Sequence, residues 1–359
     1  MSILRRKSRV VKIGNMAIGG KNPIAIQSMV KARTRDVSKV LAQIKRLENA
    51  GCDIVRLAVE DKEDARAIKE IKRFCLMPIV ADIHFDWRLA ILAIESGVDK
   101  IRLNPGNISK QDEIIEVARA AKINRIPIRV GANSGSIQGA HLIAGRNKRQ
   151  ANILVAGVLD YIKILEKRSF YDIVISLKAS NILDTVRAYR QISKILDYPL
   201  HLGLTATGPS PKGIIKSSIA IGSLLLDGIG DTIRVSLTDN PEEEIRSARG
   251  ILEPLGLLKN GPDIVSCPTC GRCKVDLVKI VKELDNLLSA ISFQPSAGTI
   301  RVAVMGCVVN GPGEAKDADI GVAFGKKDGL LFRKGRAVRK IPASKCVSEL
   351  MREITRLAK

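Results

Sequence analysis

The sequence predicts an α/β protein: a (β/α)8 barrel of the TIM type followed by a small α+β domain. Three observations carry this. Short β-branched runs alternate with helical stretches over the first 240 residues, and eight such runs are counted at a spacing of about 25 residues. The ends of those runs hold polar and charged side chains that a barrel core has no packing reason to keep. A glycine- and proline-rich linker at residues 254–262 then gives way to a stretch with clustered cysteines, so the domains are expected at 1–256 and 257–359.

In chain order, the runs are residues 23–29, 53–59, 78–83, 100–105, 127–132, 172–180, 199–206 and 231–237. Their C-terminal ends carry Gln27 and Ser28, Arg56, Asp82 and His84, Arg102 and Asn104, Arg129 and Asn133, Lys178, His201, and Arg234 and Ser236. In a parallel barrel those ends share one mouth, where Arg56, Arg102, Arg129, Lys178 and Arg234 would converge on a dense anion such as a diphosphate. Glycine-bearing loops after the fourth, fifth and seventh runs add backbone amides that can cradle phosphate, although none is a nucleotide-binding fingerprint. In the second domain a cysteine loop leads into a helix at about 273–290. Strands follow at 299–305, 320–324 and in the 330–341 region, and an amphipathic helix at 343–358 closes the chain.

Composition narrows the class. The chain is 45% hydrophobic but only 3% aromatic, which suits an aliphatic globular core. No apolar run reaches the 18 or so residues that a membrane helix needs, and the basic start is not followed by the apolar core of a secretory signal. A cytoplasmic protein is therefore expected. The net charge of +22 invites a nucleic-acid reading, but the cations are dispersed and stacking aromatics are scarce, so no nucleic-acid or membrane partner is expected.

Cys267-Pro-Thr-Cys270 and Cys307-Val-Val-Asn-Gly-Pro-Gly-Glu314 put three thiolates and one carboxylate in two tight loops. A structural zinc site would more usually show a second Cys-x-x-Cys or a histidine pair, and no histidine follows residue 257. Three cysteines and a hard oxygen ligand suit a [4Fe-4S] cluster with one iron open to substrate. Cys273 is expected on the following helix, pointing away. A competing reading is a zinc-stabilised, basic nucleic-acid-binding protein, which would be colourless and redox-silent.

These residues resemble a known family, the 4-hydroxy-3-methylbut-2-enyl diphosphate synthases of the methylerythritol phosphate route to isoprenoids, in their two-domain bacterial form. The resemblance spans essentially the whole chain. It rests on Gln27-Ser-Met29, Ala81-Asp-Ile-His-Phe85, Arg102-Leu-Asn-Pro-Gly-Asn107, Ser176-Leu-Lys-Ala-Ser180, His201-Leu-Gly203, Gly228-Ile-Gly-Asp-Thr-Ile-Arg234 and the two cysteine loops. It implies reductive ring opening of 2-C-methyl-D-erythritol 2,4-cyclodiphosphate with loss of water, and flavodoxin or ferredoxin as electron donor. Cys267, Cys270 and Cys307 would hold the cluster, with Glu314 as a displaceable fourth ligand. Arg56, Arg102, Asn104, Arg129, Asn133, Lys178, His201, Arg234 and Ser236 would bind substrate, and Asp82 and His84 would hydrogen-bond it or manage protons. The resemblance further implies a head-to-tail homodimer in which one subunit's cluster domain covers the other's barrel mouth.

Two departures lie at that mouth. The family pattern Thr-Glu-Ala-Gly is replaced by Thr205-Ala-Thr-Gly208, which removes a glutamate, and the loop after Met29 reads Val-Lys-Ala-Arg-Thr34. A non-catalytic family member is the reading those departures leave open.

Overall fold

The computed structural model describes residues 3–134, 150–179, 181–258, 261–289, 299–307, 313, 315–325 and 328–357. Glu314 and Ser180 therefore lie outside the described residues, as do His141 and most of the glycine-proline bend after Cys307. The chain divides into two compact units, Met1–Leu255 and Gly256–Lys359.

The first unit opens with a hairpin that the sequence reading did not assign. Strands β1 (Val11–Ile13) and β2 (Met16–Ile18) pair antiparallel across a turn at Gly14 and Asn15. Gly14 has a φ of 57°, the left-handed conformation such a turn demands. The alternating Val11-Lys12-Ile13 and the apolar Met16-Ala17-Ile18 flank Gly-Asn, and three residues a side are too few to register as strands. Val11, Ile13 and Ile18 pack against Ala25, Ile54, Val80 and Val174, which lie near the starts of barrel strands. The hairpin thus plugs the N-terminal end of the barrel, each large aliphatic group contributing about 1.5–3 kcal/mol by burial.

Eight strands form the barrel: β3 (Ala25–Met29), β4 (Ile54–Val59), β5 (Ile79–Ile83), β6 (Lys100–Leu103), β7 (Ile128–Asn133), β8 (Ile173–Lys178), β9 (His201–Leu202) and β10 (Thr232–Ile233). They run parallel in the order β8-β7-β6-β5-β4-β3-β10-β9, and a bridge between Ile175 and Leu200 joins the two ends. The last two strands are much shorter than the runs that predicted them, because the backbone after His201-Leu202 and Thr232-Ile233 turns away to place Thr205, Thr207, Arg234 and Ser236 in loops.

The intervening helices are α1 (Val37–Asn49), α2 (Lys62–Phe74), α3 (Trp87–Glu95), α4 (Gln111–Asn124), α5 (Gln150–Glu166), α6 (Ile182–Ile195), α7 (Lys212–Leu226) and α8 (Pro241–Leu252). Local chemistry starts several of them. Asp61 accepts from the Glu63 and Asp64 amides, Asp86 from the Arg88 amide and Asn181 from the Asp184 amide, each satisfying otherwise orphaned donors. α8 has Pro241 in its first turn followed by three glutamates, which complement the helix dipole. Buried Val40, Ile44 and Leu47 show the period by which α1 faces the sheet.

The second unit is a five-stranded sheet in the order β11 (Gly261–Ser266), β12 (Thr299–Met305), β13 (Ile320–Phe324), β14 (Asp328–Arg333) and β15 (Arg336–Pro342). β11 to β13 are parallel and the last two antiparallel. β11 was not expected, since its Gly-Pro start reads as linker. α9 (Leu277–Ser289) and α10 (Cys346–Leu357) cover one face. Leu284, Leu288, Leu350 and Ile354 meet Val302, Val304, Val322 and Phe324 there, while Ala303, Met305, Ala323 and Phe332 form a separate cluster. The alternation of Val302 and Val304 with Ala303 and Met305 is the period of two that a strand imposes.

Candidate active site

Strand periodicity builds the barrel interior in tiers. Two residues above the plug positions Ala25, Ile54, Val80 and Val174 stand Gln27, Arg56, Asp82 and Ser176, so one inward face passes from apolar to polar. Asp82 is the hub. Its carboxylate accepts a hydrogen bond from Arg102 Nη1 at 3.2 Å, lies 3.7 Å from Arg56 Nε and 3.2 Å from His84 Nε2. Burial opposes its ionisation, but Arg56, the bond to His84, and Arg102 and Arg129 prevail and hold it well below the usual carboxylate range. His84 itself is half exposed.

Around this hub the cations crowd. Arg129, fully buried, donates to Gln27 Oε1 at 2.8 Å, and Arg102 also donates to the Gly131 carbonyl. Arg234 lies 3.5 Å from Glu244, which also accepts from Ser28 Oγ and the Leu237 amide. Met29 Sδ sits 3.0 Å from Arg56 Nη2 and 3.7 Å from Arg234 Nη1, a soft acceptor between two guanidinium groups. Glycines make the room. A Cβ at Gly131 would lie 2.9 Å from Arg102 Nε, and one at Gly203 would lie 2.9 Å from Lys178 Nζ and 2.7 Å from the Arg234 carbonyl.

The shared consequence is a surplus of positive charge in a dry place. Burial first, then repulsion from Arg234 and Arg56, pushes the Lys178 ammonium well below its usual range. Burial and Arg56 likewise bring Arg234 down to about 10. Such a field is poised for a multiply charged anion, whose arrival would relieve the repulsion.

Other expected residues fall at or below this mouth. Asn104 is buried and accepts from the Gly106 amide, which shapes the loop after β6. Asn133 ends β7 opposite Lys178. The Ser236 carbonyl accepts from the Thr207 hydroxyl. His201 is not at the rim but fully buried, its Nδ1 2.8 Å from Thr232 Oγ1. Burial, then Arg129, Lys178 and Lys100, press it well below the usual histidine range, so it is a neutral imidazole. Ala206, at the family's glutamate position, is exposed and holds a φ of 51°. The departing loop 30–34 is anchored by Gln43, which accepts from the Lys31 and Ala32 amides, and it borders a cavity of about 320 Å³ shared with Met29 and Arg234.

Two participants escaped the sequence reading. Glu244 was hidden in an acidic run that reads as a helix start. Lys100 opens β6 two residues before Arg102, and that shared parity is the signal that would have found it.

In the second unit, sheet register joins the cysteine loops. β11 pairs with β12 so that Ser266 faces Val304, and the loops beginning at Cys267 and Gly306 therefore leave the sheet side by side. The Gly306 amide donates to Cys267 Sγ at 3.2 Å. Cys270 is exposed, and its thiol is lowered by the Arg272 amide first and then by the Arg272 side chain and the Cys273 amide. Helix α9 begins only at Leu277, so these amides, and not the helix end, favour the thiolate. The late start also corrects Cys273. It lies in the loop, donates to the Val275 carbonyl and packs on the core with Cys267. Among the described residues no three Cys, His, Asp or Glu side chains converge as one metal ion would require.

Comparison with known proteins agrees with this architecture. Residues 8–249 match the GcpE TIM-barrel domain, and residues 263–356 match the GcpE protein C-terminal domain. The chain belongs to the GcpE family. Among similar proteins, the 4-hydroxy-3-methylbut-2-en-1-yl diphosphate synthase (flavodoxin) of Caldanaerobacter subterraneus is 51% identical over 356 residues, covering 99% of each chain. Its namesake from Clostridium acetobutylicum is 50% identical over 351 residues, 98% of this chain and 99% of the relative. Solved dihydropteroate synthases share the barrel alone. Those of Stenotrophomonas maltophilia and Yersinia pestis align with TM-scores of 0.52 and 0.51 at 13% and 9% identity, each covering 68% of this chain and 98% of the other. No helix among the described residues is long and apolar enough to cross a membrane.

Proposed function

We propose that this chain is an oxidoreductase that converts 2-C-methyl-D-erythritol 2,4-cyclodiphosphate to 4-hydroxy-3-methylbut-2-enyl diphosphate. The observation that carries the reading is the largely buried ring of Arg56, Arg102, Arg129, Lys178 and Arg234, in which Asp82 and Glu244 are the paired carboxylates among the described residues. Full-length relatives bearing that enzyme's name support it.

The reaction consumes two electrons and two protons and releases one water. Arg56, Arg102, Arg129, Lys178 and Arg234 would hold the diphosphate, with Asn104, Asn133, His201 and Ser236 setting its orientation. Asp82 holds Arg56 and Arg102 by charge, and Asp82 and the half-exposed His84 beside it would hydrogen-bond the substrate or manage protons. Cys267, Cys270 and Cys307, with Glu314 as a displaceable fourth ligand, would hold a [4Fe-4S] cluster. When bound, that cluster would supply the electrons one at a time, received from flavodoxin or from ferredoxin. A homodimer with composite sites is part of this reading.

Anaerobic turnover of the cyclic diphosphate by iron-reconstituted protein with a chemical reductant tests it, read beside the visible spectrum and iron content. A brown protein that forms product is expected. A brown protein that stays inactive with every donor would make it a non-catalytic member, and a colourless zinc protein would overturn the cluster.

A further inference from the structure

Lys100 opens β6 on the same inward face as Arg102 and is fully buried. Its Nζ has no hydrogen-bond partner among the described residues, and neither do Arg129 Nε, Gln27 Nε2 and His201 Nε2 in the same interior. The charges that bear on it are those of Arg129 and Arg56, both of its own sign. Asp82, on the adjacent strand, is already engaged by Arg56, His84 and Arg102. Lys178 and His201 in the same interior are also disfavoured as cations, Tyr189 is held neutral by burial, and Arg102 and Arg234 add charge of the same sign, with Glu244 engaged by Arg234.

A buried ammonium with no counter-ion costs several kcal/mol, so the group sheds its proton instead. Burial, and then Arg129 and Arg56, therefore disfavour the charged form of Lys100 in the anion-free barrel, where its Nζ has no partner among the described residues. As an amine its lone pair can accept a hydrogen bond, and Arg129 Nε, buried in the same interior, is a donor without a partner among the described residues. An ammonium there would meet the like charges of Arg129 and Arg56. A dense anion held at the mouth by Arg56, Arg102 and Arg129 reverses the local potential and makes the charged form of Lys100 favourable.

We propose that Lys100 is a positioning residue that takes up a proton when a diphosphate enters the barrel, so that anion capture and protonation of the barrel floor are one event. This rests on the diphosphate reading of the mouth. It adds a residue from beneath the binding ring, and it makes the depth of the charged tier depend on occupancy.

Titration calorimetry of iron-loaded protein with inorganic pyrophosphate tests it, run anaerobically at one pH in two buffers of different ionisation enthalpy. The buffer dependence of the heat counts protons exchanged. Wild type, Lys100→Met and Lys100→Arg are compared, and the difference between proteins cancels protons exchanged by the ligand itself. Both variants are expected to fall short of wild-type uptake by up to about one proton. Lys100→Met should bind more weakly, whereas Lys100→Arg, permanently charged, should bind without that uptake. Equal proton counts in wild type and Lys100→Met would overturn the proposal. If wild type gives no heat and no competition against the cyclic diphosphate, the diphosphate reading of the mouth itself fails. Lys100→Met removes a buried amine for an apolar side chain of similar length, so it is expected to fold, and Lys100→Arg gives an independent second reading.

Discussion

Asp82 Oδ1 and Arg102 Nη1 meet at 3.2 Å inside the barrel, where both side chains are buried. The pair organises the cation ring, since Asp82 also faces Arg56 and His84. Asp82→Asn is expected to abolish turnover and to destabilise the barrel by about 3–5 kcal/mol at pH 7, because guanidinium groups are left buried without their counter-charge. The pH dependence has a definite sign. The folded-state carboxyl lies well below its ordinary value of 3.8, so the stabilisation is complete above that value and is lost as pH falls through the folded one. Chemical denaturation should show the wild type losing this increment progressively only as pH falls below 3.8, while Asp82→Asn shows a smaller decline there.

Gly203 leaves the space that Lys178 fills. Gly203→Ala puts a methyl 2.9 Å from Lys178 Nζ and 2.7 Å from the Arg234 carbonyl, and backbone cannot yield as a side-chain tip can. The variant is expected to lose about 1–3 kcal/mol of stability by overpacking and to raise KM more than it lowers kcat. Melting curves and steady-state kinetics together check this.

The cysteines should separate by reactivity in metal-free protein. Cys270 is exposed and its thiol is lowered, so iodoacetamide should label it first. Cys52 and Cys346 are buried, and burial pushes each thiol up to about 12, so they should label only on unfolding. Peptide mapping by mass spectrometry reads the order. Iron content gives the companion test, with Cys267→Ser and Cys270→Ser losing the brown chromophore and Cys273→Ser retaining it.

Ala206 occupies a left-handed backbone conformation at an exposed position. Ala206→Gly should stabilise the protein by up to about 1 kcal/mol, measured as a shift in denaturation midpoint, since only glycine adopts that conformation freely. Ala206→Glu restores the family's carboxylate in the same backbone geometry and is expected to raise turnover with little change in stability.

Much of this organisation was legible in the linear chain. Parallel strands alternating with helices leave a repeating signature of β-branched runs, and polar residues at their ends mark the face where loops build a site. Thiol spacing likewise marks the ligand loops, because a tight bend is a local property. Other features were missed, among them β11, whose Gly-Pro start reads as linker, and Lys100. The Gly14–Asn15 hairpin was too short to register as strands, and Glu244 hid in a helix start. Cys273 was misplaced because helix onset is set by packing of Leu277 as much as by local preference.

By itself, then, the sequence determined the alternation of barrel strands and helices, the tier of cations and the thiol loops, since periodicity and spacing are written residue by residue. Tertiary structure alone decided which charges meet. Asp82 pairs with Arg102, Arg129 with Gln27, and Lys100 with no one among the described residues. Those outcomes depend on barrel closure, which brings strands distant in sequence to within hydrogen-bonding range and removes the water that would otherwise have screened them.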